Sequence, residues 1–113
     1  MKFSIVAIAA FALSANAANH KVKVGSSGLT FKPSTVKAAV GDTVEFDFIG
    51  SGHAVAEGDF NNACQPLAGA PFYSGPGVAA GKKWQITIKD TSPHAFYCPP
   101  HCKLGMVGVI NPS

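Results

Sequence analysis

Three stretches of this chain alternate apolar and polar residues with a period of two: Lys21-Val22-Lys23-Val24, Thr43-Val44-Glu45-Phe46-Asp47-Phe48 and Trp84-Gln85-Ile86-Thr87-Ile88-Lys89. Successive side chains on an extended strand point to opposite faces, so each stretch buries one face and wets the other. No segment after residue 17 reads as a long amphipathic helix. Further short runs, Ser34 to Val40, Ala54 to Glu57, His94 to Cys98 and Met106 to Asn111, are set apart by turn residues, as at Val40-Gly41-Asp42 and Ser92-Pro93. About seven or eight short strands at this spacing predict an all-β fold, an antiparallel sandwich or small barrel. Its core is expected from inward-facing Val22, Val24, Phe31, Val44, Phe46, Phe48, Trp84, Ile86, Ile88, Phe96, Val107 and Val109. Gly58 to Gly81 breaks the rhythm and reads as a long loop, either functional or pinned by something.

The first residues belong to a different kind of segment. Met1-Lys2 is a short basic start, Phe3 to Leu13 is apolar apart from Ser4, and Ala15-Asn16-Ala17 is an A-x-A cleavage site. Residues 1–17 therefore read as a signal peptide and 18–113 as one domain, secreted and extracellular. The apolar run falls short of the roughly 20 residues that span a membrane, and Asn111-Pro112-Ser113 carries no lipid-anchor signal, so no membrane attachment is expected. Removing 17 of the 113 residues leaves about 96, a size at which a single core gains from a covalent or metal staple. The net charge of +3 is spread without a basic cluster, and no nucleic-acid partner is expected.

Three cysteines in an exported chain leave one without a partner. A Cys98–Cys102 bridge would close only a tight ring, whereas a bridge from Cys64 closes a long loop and stabilises by about 3–4 kcal/mol in the loop-entropy picture. Phe96 and Cys98 share a strand face; with Phe96 inward, Cys98 ends its strand facing the interior, and Cys102 is left to pair with Cys64.

An inward thiol at Cys98, an imidazole at His101 and a thioether at Met106 then lie on one tight loop, Phe96 to Met106, which reads FYCPPHCKLGM. What a trigonal plane still lacks is a second imidazole, and His53, distant in sequence after the strand ending at Phe48, is the candidate. A His2Cys plane with a long axial Met selects copper and suits one-electron transfer. His94, four residues before Cys98 on the same strand, stands about 13 Å away if extended and reads as a surface or hydrogen-bonding histidine. Rival readings are a tetrahedral zinc site of His53, Cys98, His101 and Cys102, and a stapled sandwich with no metal. A second, weaker copper site is conceivable at Ala18, Asn19 and His20, where a new amino terminus, two amides and a third-position imidazole make a square-planar set.

The stretches LTFKPSTVKAAVGDTVEFDF from Leu29, GHAVAEGDFNNACQPL from Gly52 and FYCPPHCKLGMVGVINP from Phe96 resemble the cupredoxins, above all the fungal extracellular cupredoxins related to the plant phytocyanins. That resemblance implies a Greek-key sandwich, one copper ion held by His53, Cys98, His101 and Met106, and a Cys64–Cys102 disulfide beside the site. The two-residue spacing from Cys98 to His101 is that of the plastocyanin branch. Ala54 stands where many cupredoxins have a polar residue; its backbone N–H is expected to reach the thiolate, while Pro100 has no N–H for a second such bond. A site with one donor instead of two is expected to have a raised potential.

The function expected from these residues is a mononuclear blue copper protein that carries single electrons, not an enzyme, acting as a monomer with an unidentified redox partner, protein or small molecule. The alternative is an extracellular copper-binding or scavenging protein with no dedicated redox partner.

Overall fold

The computed structural model describes residues 17–113; the signal-peptide reading of residues 1–17 lies outside them except for Ala17. Nine strands are present among these residues: β1 (Asn19–Val24), β2 (Phe31–Lys32), β3 (Thr35–Val36), β4 (Thr43–Phe48), β5 (Ala56–Asp59), β6 (Asn62–Pro66), β7 (Lys83–Thr87), β8 (His94–Tyr97) and β9 (Val107–Ile110), with a 3-10 turn at Cys102–Leu104. They form two sheets, ordered β2-β1-β4-β7 and β3-β9-β8-β5-β6. The fold is a sandwich, and the sheets do not close into a barrel.

The expectation of an antiparallel fold is corrected in two places: β1 runs parallel to β4 and β3 runs parallel to β9. Period-two alternation reports which face a residue takes but not the direction of its neighbour. β6 lies in the segment read as an aperiodic loop. Its residues are mostly exposed on both faces, so no alternation marks it. The rest of that loop is indeed pinned. The Val78 N–H donates to the His53 carbonyl at 2.9 Å, the Glu57 N–H donates to the Phe72 carbonyl at 2.9 Å, and the Ser74 hydroxyl accepts from the Val55 N–H at 2.9 Å.

The alternating strand β4 buries Val44, Phe46 and Phe48, and β1 buries Val22 and Val24, as the pattern predicts. Phe96 is the centre of the packing between the sheets. Its ring meets Phe31 edge-on at 4.8 Å and Phe46 edge-on at 5.2 Å. Trp84 and Ile86, expected in the core, are half-buried at its margin.

Val107 and Val109 are corrected outright: Val107 is 47% exposed and Val109 half-buried, while Met106 and Ile110 are wholly buried. The cause is the pairing of β9 with β8, which sets Gly108 opposite Phe96 on the inner face. A Cβ on Gly108 would run into the Phe96 ring and stand 2.8 Å from the Ser34 carbonyl oxygen. The inner phase of β9 is therefore Met106, Gly108 and Ile110, with the glycine giving its volume to the phenylalanine.

Gly108→Ala is expected to destabilise the protein by about 1–3 kcal/mol through overpacking. Urea unfolding of the metal-free protein measures this; an unchanged midpoint would mean that the Phe96 ring gives way freely.

Candidate metal centre

Cys98 follows the last residue of β8, where strand phase turns it inward with Phe96; the side chain is wholly buried and the thiol is free. Its N–H donates to the Met106 carbonyl at 3.1 Å, which closes the loop between them. Within that loop the His101 N–H donates to the Cys98 carbonyl at 3.0 Å and the Leu104 N–H to the His101 carbonyl at 2.9 Å. Gly105 ends the 3-10 turn at φ 98°, a left-handed conformation that glycine adopts without a Cβ penalty. The turn is anchored from outside by the Cys64–Cys102 disulfide, which joins it to β6. This pairing removes Cys102 as a ligand, and the rival tetrahedral zinc set with it.

His53 comes from the other direction in the chain, after the turn that follows β4, and is 6% exposed. A single bridge to Val78 holds its backbone. Its Nδ1 stands 3.7 Å from Cys98 Sγ, and the Nδ1 of half-buried His101 stands 3.6 Å from the same sulfur. The three side chains offer ligand atoms that all lie within 4.8 Å of one another. Met106 is wholly buried in the same apolar cluster as Cys98.

These separations can be compared with those a shared metal imposes. Metal–sulfur and metal–nitrogen bonds of about 2.3 and 2.0–2.1 Å, meeting at about tetrahedral to trigonal angles, put S and N roughly 3.5–3.8 Å apart. The donor atoms, within hydrogen-bonding reach of the sulfur, are thus also spaced as they would be around one shared ion. Burial without an ion is unfavourable for them. It pushes the Cys98 thiol up from the ordinary cysteine range, opposed by the backbone N–H groups of Ala54 and His101. Burial, and after it the neighbouring His101, hold the His53 imidazole below the ordinary histidine value.

The Ala54 N–H, expected to reach the thiol, acts on it by lowering its value against the effect of burial. The His101 N–H also lowers the thiol's value, while it donates to the Cys98 carbonyl at 3.0 Å.

Ala18, Asn19 and His20 are engaged at the start of β1. Asn19 and His20 belong to β1, paired with Thr43 and Val44. The Ala18 N–H donates to Asp42 Oδ1 at 2.9 Å, and His20 Nε2 lies 2.8 Å from Asp42 Oδ2. The Ala18 N–H first, then His20 and the Ala39 N–H, hold the Asp42 carboxyl down at about 2. A square-planar set there would require this end of β1 to open.

His94 is away from the centre and wholly engaged: Nδ1 is 2.7 Å from Glu57 Oε2 and Nε2 is 2.9 Å from Asp90 Oδ1. Partial burial lowers its tendency to hold a proton, but the two carboxylates outweigh that and raise its value above the ordinary 6.5.

Comparison with known proteins follows the same lines. Residues 18–111 match the family described as copper binding proteins, plastocyanin/azurin family. The chain is 40% identical over 89 residues to an Arthroderma benhamiae protein named "Probable GPI-anchored cupredoxin-1", covering 77% of this chain and 47% of that one. It is 33% identical over 111 residues to a chloroplastic plastocyanin of Tetradesmus obliquus, covering 93% of this chain and 74% of the relative. Among solved structures, a pseudoazurin from Sinorhizobium meliloti superposes with a TM-score of 0.63 at 22% identity, over 82% of this chain and 72% of that one, a likeness of fold. The chain spans about half the length of the fungal relatives it matches.

One prediction concerns His94. A group whose value is raised on folding stabilises below its unfolded value and loses that contribution as pH rises through the folded one. Stability is therefore expected to fall as the pH climbs from about 6.5 through the raised His94 value, and His94→Gln is expected to remove that part of the pH dependence. Denaturant midpoints across the range test it; identical pH profiles for the two proteins would refute the assignment.

Proposed function

This chain belongs to the plastocyanin/azurin family of copper-binding proteins, and from that premise we propose that it is a mononuclear blue copper protein that carries single electrons outside the cell. The observation that supports this best is the free, buried Cys98 thiol, with two imidazole nitrogens from distant parts of the chain directed at it at 3.6 and 3.7 Å.

His53, Cys98, His101 and Met106 would hold the metal. Copper, when bound there, would supply a one-electron couple at a site offering two imidazoles, a thiolate and a thioether. The chain's own residues account for the rest. The loop from Cys98 to Met106 is cross-linked by its own backbone hydrogen bonds and by the disulfide, so its ligands have little freedom to move between redox states. The wholly buried Met106 and Cys98 keep water from one side of the site. His101 is half-buried beside exposed Pro99, Pro100 and Leu104, the last 72% exposed, which makes its ring edge the port for electrons and that apolar surface the place for a redox partner.

Export belongs to the same proposal. It rests on the leader pattern of residues 1–17 and on the naming of the fungal relatives as GPI-anchored or extracellular. Among the described residues no helix is long and apolar enough to cross a membrane. The reading is of a carrier and not of an enzyme.

Purified protein given one equivalent of Cu(II) is expected to show an intense visible absorption band that disappears on reduction and returns on oxidation. His101→Ala is expected to bleach that band; its survival with reversible reduction intact would overturn the ligand assignment. Slow electron exchange combined with very tight Cu(I) binding would instead favour copper scavenging without a redox partner.

A further inference from the structure

The imidazole of His53 is wedged between a thiol and bare main chain. Its Nδ1 edge faces Cys98 Sγ at 3.7 Å. Its opposite edge, Nε2 and Cδ2, faces the backbone of Gly25 and Gly50: a Cβ on Gly25 would stand 2.6 Å from Nε2 and 2.7 Å from Cδ2, and a Cβ on Gly50 would stand 3.4 Å from Nε2 and 3.1 Å from the Gly25 carbonyl oxygen.

The two glycines meet because of the parallel pairing of β1 and β4. Val24 is opposite Phe48, so the two strands end together, and the turns that follow them lie side by side. The N–H groups of Ile49 and Gly50 both donate to the Val24 carbonyl, at 2.9 and 3.2 Å, and the Gly25 N–H donates to the Thr30 carbonyl at 3.0 Å. The result is a narrow wall of main chain with no side chain on the face that His53 meets.

We propose that Gly25, with Gly50 beside it, is a positioning residue of the metal centre: the side-chain-free wall at the ends of β1 and β4 sets how far the His53 ring stands from Cys98. This rests on the reading of His53 as a ligand. The ring is 6% exposed and has close-packed surroundings, so it has no free volume into which to retreat. A methyl group on Gly25 would drive it toward Cys98 or turn it out of line with the sulfur. His101, half-buried on a surface loop, has room that His53 lacks. A wall of backbone also cannot change rotamer, so the position of His53 is held more firmly than a side-chain contact would hold it.

Three glycines separate this effect from simple strain. Gly25 has φ 77° and Gly28 has φ 75°, so alanine is strained at both, but a Cβ on Gly28 meets nothing within 4 Å. Gly50 is outside the left-handed region and its Cβ would press on the ring only slightly.

The experiment compares Gly25→Ala, Gly50→Ala, Gly28→Ala and His53→Ala. The readouts are Cu(I) affinity by chelator competition, the positions and relative intensities of the visible bands of the Cu(II) form, and the His53 ring proton shifts in the metal-free protein. Gly25→Ala is expected to weaken Cu(I) binding about 10–100-fold, to alter the band intensities and to displace the His53 ring signals. Gly50→Ala is expected to do the same to a smaller extent, and it carries the test if Gly25→Ala does not fold. Gly28→Ala is expected to lose stability yet keep wild-type affinity, bands and ring signals.

If the Gly25 and Gly50 variants match Gly28→Ala in all three readouts while His53→Ala loses the band, the positioning role is overturned and His53 stands as a ligand. If Gly25→Ala does not fold, a wild-type result for Gly50→Ala overturns the role equally. If His53→Ala keeps the band, the ligand reading falls and the positioning role falls with it.

Discussion

The packing of Phe96 between the two sheets is the contact on which the centre depends. Its ring is held edge-on by Phe31 from one sheet strand and Phe46 from another, which leaves no freedom to rotate β8 about its axis. Two residues later the same face carries Cys98. An inward Phe96 therefore commits the thiol to the interior, shielded from oxidation and set against Met106. The same ring dictates Gly108 on the facing strand and thereby the phase of β9. One aromatic side chain thus aligns both strands that flank the ligand loop.

Around that anchor the ligands are divided between two kinds of support. His53 is brought in by the sandwich itself, after the turn that follows β4 and against main chain, and is almost wholly buried. His101, Cys98 and Met106 come from one short loop whose geometry is set by its own hydrogen bonds and by the disulfide to β6. A rigid inner histidine and a half-buried outer one give the site a closed side and an accessible side. Burial disfavours the charged forms of these side chains, and the shifts of Cys98 and His53 toward their neutral forms are the electrostatic expression of that.

Much of this was legible in the residues. Alternation in β1 and β4 identified their inner faces because one side of each is dry and the other wet. The odd cysteine pointed to a thiol with a separate role, and the shared face of Phe96 and Cys98 told which one it is. The errors have equally specific causes. Val107 and Val109 looked like an inner face because valine is apolar and glycine is silent, yet the inner position belongs to Gly108, whose missing side chain is what Phe96 requires. β6 has little alternation to read because neither of its faces is dry. The His101 N–H bond to the Cys98 carbonyl, which helps to close the ligand loop, is a property of how the loop turns and has no residue type to announce it.

From the sequence alone follow the strand-rich fold, the inward thiol, the disulfide pairing and the identity of the four side chains proposed for copper, because each rests on local periodicity, on cysteine chemistry or on donor type. The tertiary structure alone decided the mixed sheet directions, the phase of β9 and the bringing of His53 to within 3.7 Å of Cys98 across 45 residues of chain. Those depend on how far apart strands and rings settle when packed. Glycines make that distance possible at Gly108, Gly25 and Gly50 by having no side chain, a contribution that no pattern of residue types can display.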